Sequence, residues 1–313
     1  MSDLQLFPTK IRNKNEFSQE IPYGVEMINA EKMWDLGYKG KGVVIAVLDT
    51  GCQTNHPDLK NRIIGGRNFT SDHNGDPRNY SDNHFHGTHV AGTIAAEMNG
   101  HGVAGVAPEA NLLILKVIRS NGTSSYDSLI RGIHYAINWR GPGKERVRVI
   151  SMSLGGPVHD PRLQSAVRRA VANNILVVCA AGNLGDKISK SFDHTYPGFY
   201  PEVVCVGAMT EDRKPALFTN TNDEIDLVAP GVNILSTYTG TRYAELSGTS
   251  MATPHVAGAA ALLIQGYEEK LNRKLTEKEI YNLLINNTVK MDFDRESIGA
   301  GLLDVSRGIK SKR

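Results

Sequence analysis

The sequence predicts a three-layer α/β/α sandwich around a mostly parallel, doubly wound sheet. Short apolar runs of strand length alternate with helical patterns along the chain. The runs lack polar alternation, as expected for strands covered on both faces. The chain has 313 residues, 40% of them hydrophobic, so it can bury a sizeable core as one large α/β unit or two smaller ones.

The elements follow in order. VVIAVL (43–48) is the first strand and residues 87–98 the first clear helix. LLILKV (112–117) is followed by a helical pattern at 125–138. VRVISMSL (147–154) is followed by one at 161–173. ILVVCA (175–180), VVCVGA (203–208) and EIDLVA (224–229) are further strands, and helices are expected at 251–267 and 276–286. The first ~18 residues are polar, carry Pro8 and stand well before the first strand, so they read as an appended arm. In doubly wound sheets, sites lie beyond the carboxyl ends of the strands, and reactive residues are sought there.

A net charge of +2 argues against a protein built around nucleic acid or a membrane surface. The basic stretch WRGPGKERVRV (139–149) reads as a solvated loop running into a strand. No basic start with an apolar core marks a secretory signal, and no run approaches ~18 apolar residues. Three cysteines without a CxxC pattern fit free thiols in a reducing compartment, so a cytoplasmic protein is expected. Cys179 and Cys205 sit in apolar runs and read as small core residues.

Asp49 directly follows VVIAVL, in DTG; taken alone it is either a turn former or a functional carboxylate. In DNHFHGTHVAG (82–92), three histidines cluster at His84, His86 and His89. The glutamate of an HExxH zinc helix is missing, since Gly87 follows His86. His86 opens an apolar helix and can face a cleft, whereas His89, one turn further in, reads as structural. In SGTSMATPHVAG (247–258), Ser250 starts a helix, where unpaired N–H groups and the positive dipole end favour negative charge. Pro254 is expected in the first helical turn, where its missing N–H costs little. Ser250 could be a plain N-cap. Its company raises it: a serine nucleophile needs a base, and the base an orienting partner. CAAGN (179–183) ends a strand with Asn183, a side-chain donor for an oxyanion. SMSLGG (151–156) ends a strand in glycines and suits pairing with an extended peptide.

DTG, HGTHVAG, SLGG, AAGN and GTSMATPHVAG, in that order, resemble the subtilisin family of serine proteases over roughly residues 19–305. EKMWDLG (31–37), VCAAGN, EIDLVAPG and the short amino extension are most similar to the intracellular subtilisins of bacilli. The resemblance implies a serine endopeptidase of broad specificity acting on proteins and peptides. Ser250 would be the nucleophile, His86 the general base and then acid, and Asp49 its orienter. Asn183 and the Ser250 N–H would form the oxyanion hole. Gly122, Thr123 and Ser124 on one side, and Ser153, Leu154 and Gly155 on the other, would hold substrate as an added strand. Leu184 stands where several relatives carry an acid, which implies a neutral or apolar P1 preference.

The resemblance also implies Ca²⁺ as cofactor. One site would use the side chains of Gln19, Asp58 and Asn99 and the carbonyls of Glu97, His101 and Val103, an all-oxygen set suited to that ion. A weaker second site near Gly198, Tyr200, Val203 and Asp226 would take Ca²⁺ or a monovalent ion. Residues 1–18 would form an inhibitory extension acting through Leu6, Phe7 and Pro8, ahead of a single catalytic domain at 19–313. Intracellular relatives are often dimers, so a homodimer is an expectation carried over. The sequence departs from the family at Phe85, where glycine is usual, at Thr253, and at Leu6-Phe7-Pro8-Thr9, where Leu-Ile-Pro-Tyr/Phe is typical. A catalytically inactive peptide-binding relative would need a lost triad or oxyanion residue, and none is lost. An α/β-hydrolase would need GxSxG and another residue order.

Overall fold

The structure is a computed structural model that describes residues 4–5, 12–14, 18–185 and 194–308. Leu6, Phe7 and Pro8 lie outside the described residues. The strands are β1 (Leu4–Gln5), β2 (Arg12–Lys14), β3 (Val44–Asp49), β4 (Ile63–Asn68), β5 (Asn111–Lys116), β6 (Thr123–Ser124), β7 (Val147–Met152), β8 (Leu176–Ala180), β9 (Val204–Met209), β10 (Ile225–Pro230), β11 (Ile234–Tyr238), β12 (Arg242–Leu246), β13 (Thr288–Val289) and β14 (Leu302–Leu303). The helices are α1 (Tyr23–Met27), α2 (Ala30–Asp35), α3 (His86–Ala95), α4 (Tyr126–Asn138), α5 (Pro161–Ala172), α6 (Thr249–Leu271), α7 (Glu277–Asn286) and α8 (Arg295–Ile298).

Among the described residues the main sheet runs β13-β14-β10-β9-β8-β7-β3-β5-β4. Every neighbouring pair in it is parallel except β13 with β14. Every residue of β3 is buried, which is why VVIAVL shows no alternation. The two faces are nonetheless distinct. Ile45 and Val47 pack with Val90 and Ile94 of α3 and Val256 of α6. Val44, Ala46 and Leu48 pack with Leu129 and Ile133 of α4 and Leu163 and Val167 of α5. Successive side chains of one strand thus serve opposite layers, which makes the three-layer sandwich.

Chain order reverses around β3, with β5 and β4 on one side and β7, β8 and β9 on the other. The carboxyl end of β3 therefore sits at the switch point, where doubly wound sheets hold their ligands.

Several elements differ from expectation. IIGGRN forms strand β4, hidden by Gly65 and Gly66, which interrupt the apolar run. The β11–β12 hairpin is antiparallel and outside the main sheet. Helix α3 stops at Ala95, because Ala96 turns to φ −54° and ψ 130° and sends the chain back to Asp58. Helix α6 extends past both expected ends and is buried continuously from Thr249 to Gly266. Such an all-round buried helix needs the alanines and glycines of this segment.

Candidate active site

Strand β3 ends at Asp49, which is buried. The His86 Nδ1 lies 2.8 Å from Asp49 Oδ1 and 3.0 Å from Oδ2. The Asp49 Oδ1 also accepts the Thr50 N–H at 2.7 Å. A proton on Nδ1 is thereby directed at the carboxylate, leaving Nε2 as the proton-accepting nitrogen. That Nε2 is buried and has no hydrogen-bond partner among the described residues. Gly87 permits the approach: a Cβ there would stand 2.2 Å from the Gly51 carbonyl oxygen.

Ser250 is the second residue of α6. A Cβ on Gly258, eight residues on, would be 3.4 Å from the carbonyl oxygen of Ile94, which lies eight residues after His86. Helices α3 and α6 pack against each other in one core layer, with His86 and Ser250 each in the first turn of its helix. The Ser250 Oγ donates to the Ser153 carbonyl at 3.1 Å, and the Ser153 Oγ donates to the Ser250 carbonyl at 2.9 Å.

This reciprocal pair corrects the reading of Pro254. The proline is the sixth helical residue, past the first turn. Its missing N–H would have bonded the Ser250 carbonyl, four residues back. The Ser153 hydroxyl supplies that bond instead, so the end of β7 is fastened to the Ser250 peptide unit.

Asn183 follows β8. Its Oδ1 accepts from the Thr249 N–H at 2.9 Å and the Thr249 hydroxyl at 2.8 Å. The amide is thereby oriented, and its Nδ2 is buried with no acceptor among the described residues. An oriented, unspent N–H beside the start of α6 is what an oxyanion hole requires.

The β6 edge carries Thr123 and Ser124 just after Gly122, and Ser153, Leu154 and Gly155 continue β7, all three buried. The protein's own β1 already pairs antiparallel with this edge, Leu4 opposite Ser124 and Gln5 opposite Thr123. Leu4 is fully buried and touches the Gly156 and Tyr126 region. Leu184, 62% exposed, presents no charge beside Asn183.

Phe85 stacks between His84 at 4.2 Å and Tyr238 at 5.2 Å, a ring wall beside His86. Burial and the nearby His86 hold the His84 imidazole below its ordinary range. His89 is structural: its Nε2 lies 2.9 and 3.0 Å from the carbonyls of Ile234 and Ala244, and burial pushes it down to about 3. Cys179 and Cys205 are buried free thiols, as is Cys52.

Sequence reasoning missed three contributors. Asp82 accepts from the Thr50 hydroxyl and from the Thr88 N–H and hydroxyl, tying the Asp49 turn to α3. Lys116 is fully buried, and its Nζ reaches the Thr50 carbonyl at 2.6 Å, Asn83 Oδ1 at 2.8 Å, the Ile118 carbonyl at 3.0 Å and Asp72 Oδ2 at 3.0 Å. It joins the turn after Asp49 to the approach to His86 and the chain leading to β6. A lysine inside the apolar run LLILKV was its signal. Leu4 had none, because a leucine in a polar arm looks incidental.

The expected cation ligands fall into two groups. Asp58 is buried, with Oδ1 receiving the Asn99 Nδ2 at 3.2 Å and Oδ2 the Val103 N–H at 3.1 Å. The His101 Nε2 lies 3.4 Å from Asp58 Oδ1. Gln19 Oε1 accepts from the N–H groups of Asn99 and Gly100, and the Glu97 N–H binds the Asp58 carbonyl. Gly102, at φ +62°, keeps this cradle open, since a Cβ would stand 2.2 Å from Asp58 Oδ2. The Asp58 carboxylate is thus surrounded by nitrogen donors from Asn99, His101 and Val103, and a buried carboxylate of this kind is an oxygen ligand of the type hard cations take. In the second group, Asp226 Oδ1 accepts the Tyr281 hydroxyl at 2.6 Å and Oδ2 the Cys205 N–H at 2.8 Å. Burial pushes its carboxyl up to about 6. The Tyr200 hydroxyl turns to the Asp160 carbonyl, while Gly198 and Val203 contribute only backbone there.

An oriented histidine, a helix-start serine and an unspent amide donor at the switch point define a hydrolase of the nucleophilic-serine class. The chain belongs to the subtilase family, whose family model matches residues 40–301. It is 52% identical over 300 residues to an intracellular serine protease of Paenibacillus polymyxa, covering 96% of this chain and 90% of that one. It is 49% identical over 302 residues to the major intracellular serine protease of Bacillus subtilis (strain 168), covering 96% and 93%. To subtilisin DY of Bacillus licheniformis it is 40% identical over 288 residues, covering 92% and 98%. It is thus a serine protease of the subtilisin type, and its substrates are proteins. No helix among the described residues is long and apolar enough to cross a membrane.

Proposed function

We propose that the chain is a broad-specificity endopeptidase that works through Asp49, His86 and Ser250. The observation that carries this reading is the oriented His86, held by Asp49 through Nδ1 and with a buried Nε2 that has no hydrogen-bond partner among the described residues. The Ser250 hydroxyl turns from the Ser153 carbonyl, gives its proton to His86 Nε2 and bonds the substrate carbonyl carbon. The resulting oxyanion is met by Asn183 Nδ2 and the Ser250 N–H, which has no intrahelical acceptor at its position. His86 then passes the proton to the leaving amine as the C–N bond breaks. A water, deprotonated by His86, attacks the acyl carbon, and the proton returns to the Ser250 oxygen. Asp49 stays ionised and faces the imidazolium formed in both steps. A serine-directed acylating reagent should label Ser250 alone and abolish casein cleavage, and Ser250→Ala should be inert yet folded. Casein cleavage by Ser250→Ala at the parental rate would sink the assignment.

Three finer features belong to the same reading. The neutral surroundings of Leu184 favour an uncharged P1 side chain. Gln19, Asp58 and Asn99, with the carbonyls of Glu97, His101 and Val103, would hold Ca²⁺, which supplies the full positive charge the buried Asp58 lacks. The second group, at Gly198, Tyr200, Val203 and Asp226, would take a cation only after Asp226 releases Tyr281. Residues 1–18 would keep the protease latent, a reading supported by the pairing of Leu4 and Gln5 with the substrate edge. The proposed setting is the cytoplasm, in keeping with the names of the two intracellular relatives.

A further inference from the structure

Behind the β6 edge lies a cleft of about 860 Å³ that the catalytic reading does not use. Among the described residues its lining includes Arg67, Arg131 and His134 but no aspartate or glutamate. Arg67 and Arg131 both approach one ring: their guanidinium carbons lie 6.0 and 5.8 Å from the centre of Phe69. Arg67 is also 5.5 Å from the centre of Tyr135, and the Arg131 Nη2 donates to the Phe69 carbonyl at 2.8 Å. Neither arginine has a carboxylate partner among the described residues. The neighbouring acids are already engaged: Asp72 by Lys116 and the Ser120 N–H, Asp127 by Arg162.

Stacking on aromatic faces fixes a guanidinium plane while leaving most of its edge N–H groups unspent, and those edges match carboxylates. Positive charge held this way, with no acid to neutralise it, is a standing attraction for anions. The cleft is also continuous with the substrate edge, because Ser124 and Ser125 line it. A polypeptide that pairs with β6 antiparallel, as β1 does, has its upstream side toward the C-terminal end of β6, where Ser125 follows. The upstream part of a bound polypeptide is therefore led to the cleft mouth.

We propose that this cleft is an exosite that captures an acidic stretch lying upstream of the cleaved segment in a protein substrate. It deepens the endopeptidase reading and rests on it for substrate polarity. The capture acts through effective concentration: the tail is held, and the adjoining segment meets the β6 edge more often. The chemistry is unchanged, so the benefit falls on KM rather than on kcat.

Two peptides test this. Both carry the same neutral cleavable segment, preceded in one by a run of glutamates and in the other by glutamines. The parent enzyme should show a KM for the glutamate peptide lower by roughly three- to tenfold, the range expected of a few exposed charge pairs. Its kcat should be equal for both peptides, and the advantage should shrink with added salt. Arg67→Glu with Arg131→Glu should erase the difference while leaving the glutamine peptide's kinetics intact. Fluorescence anisotropy of the labelled glutamate peptide on the Ser250→Ala full chain reads the cleft without catalysis, so a failed nucleophile assignment leaves this arm standing. Equal KM for the two peptides in the parent would overturn the exosite. So would an advantage that survives the double substitution, or one lost instead on Lys144→Glu in the basic stretch at 139–149.

Discussion

The bond between Ser153 and Ser250 shows how one missing hydrogen sets a local requirement. Pro254 leaves the Ser250 carbonyl without its helical donor, and the Ser153 hydroxyl fills the vacancy. Ser153→Ala should cost about 1 kcal/mol, the usual price of a buried carbonyl left unpaired. Pro254→Ala on that background restores an N–H four residues along and should recover most of the loss. Urea denaturation of the two variants checks this; a double variant no more stable than Ser153→Ala would show that the carbonyl was never the issue. Legibility at this scale was uneven. Asp49, His86, Ser250 and Asn183 were readable because each falls at a strand end or helix start in a short recognisable phrase. Lys116 and Asp82 were not, because the Thr50 turn that both of them hold lies far from each in sequence. Pro254 was misjudged because its cost was counted from the helix rather than from the strand packed against it.

Among the elements, β1 is the most consequential. A two-residue strand paired with β6 covers the edge a substrate would use, and Leu4 is buried to completion. Burying a leucine contributes about 1.5–3 kcal/mol, or roughly ten- to a hundredfold in docking. Leu4→Asp should therefore weaken the hold of the arm and raise activity on a short peptide substrate toward that of the chain lacking residues 1–18. The comparison needs intact masses for each preparation; identical specific activities of full-length and trimmed enzyme would remove the arm from regulation. The sequence pointed to the apolar pair Leu6-Phe7 and to Pro8, which lie outside the described residues; the contact that is described is at Leu4 and Gln5. Elsewhere the strands and helices of the sandwich could be read from continuous apolar runs. Strand β4 could not, because Gly65 and Gly66 dilute it, and neither could the β11–β12 hairpin, where the buried polar residues Ser236 and Thr237 break the apolar run.

At the scale of the whole molecule, two conditions should govern stability. Chelation should lower the melting temperature, since a cation bound only by the folded chain stabilises it by mass action. Asp58→Ala should blunt that response; a parent whose melting is untouched after prolonged chelation would exclude the ion. Acid is the second condition. Burial holds His89 down at about 3 and His255 at about 4, against an ordinary value of 6.5. Their folded forms stay neutral while the unfolded chain takes up protons. The stability is fully present above about pH 6.5 and drains away as pH falls toward the folded values, by up to roughly 3 kcal/mol for His255. His255→Gln should narrow the gap in denaturation midpoint between pH 7 and pH 4, whatever it does at pH 7. A gap of unchanged width would assign the acid sensitivity to other groups.

The packing of α3 against α6 also has a meaning in time. Asp49 and His86 leave the ribosome early, but their layer of the sandwich is empty until α6 fills it, from Thr249 to Gly266 without a solvent-facing turn. Synthesis at about 5–20 residues per second puts on the order of tens of seconds between Asp49 and Ser250. On the proposed triad, the growing chain would hold Asp49 and His86 throughout that interval with no serine to activate. The tethered chain would thus be inert, because the helix proposed to carry the nucleophile is the same one that completes the core.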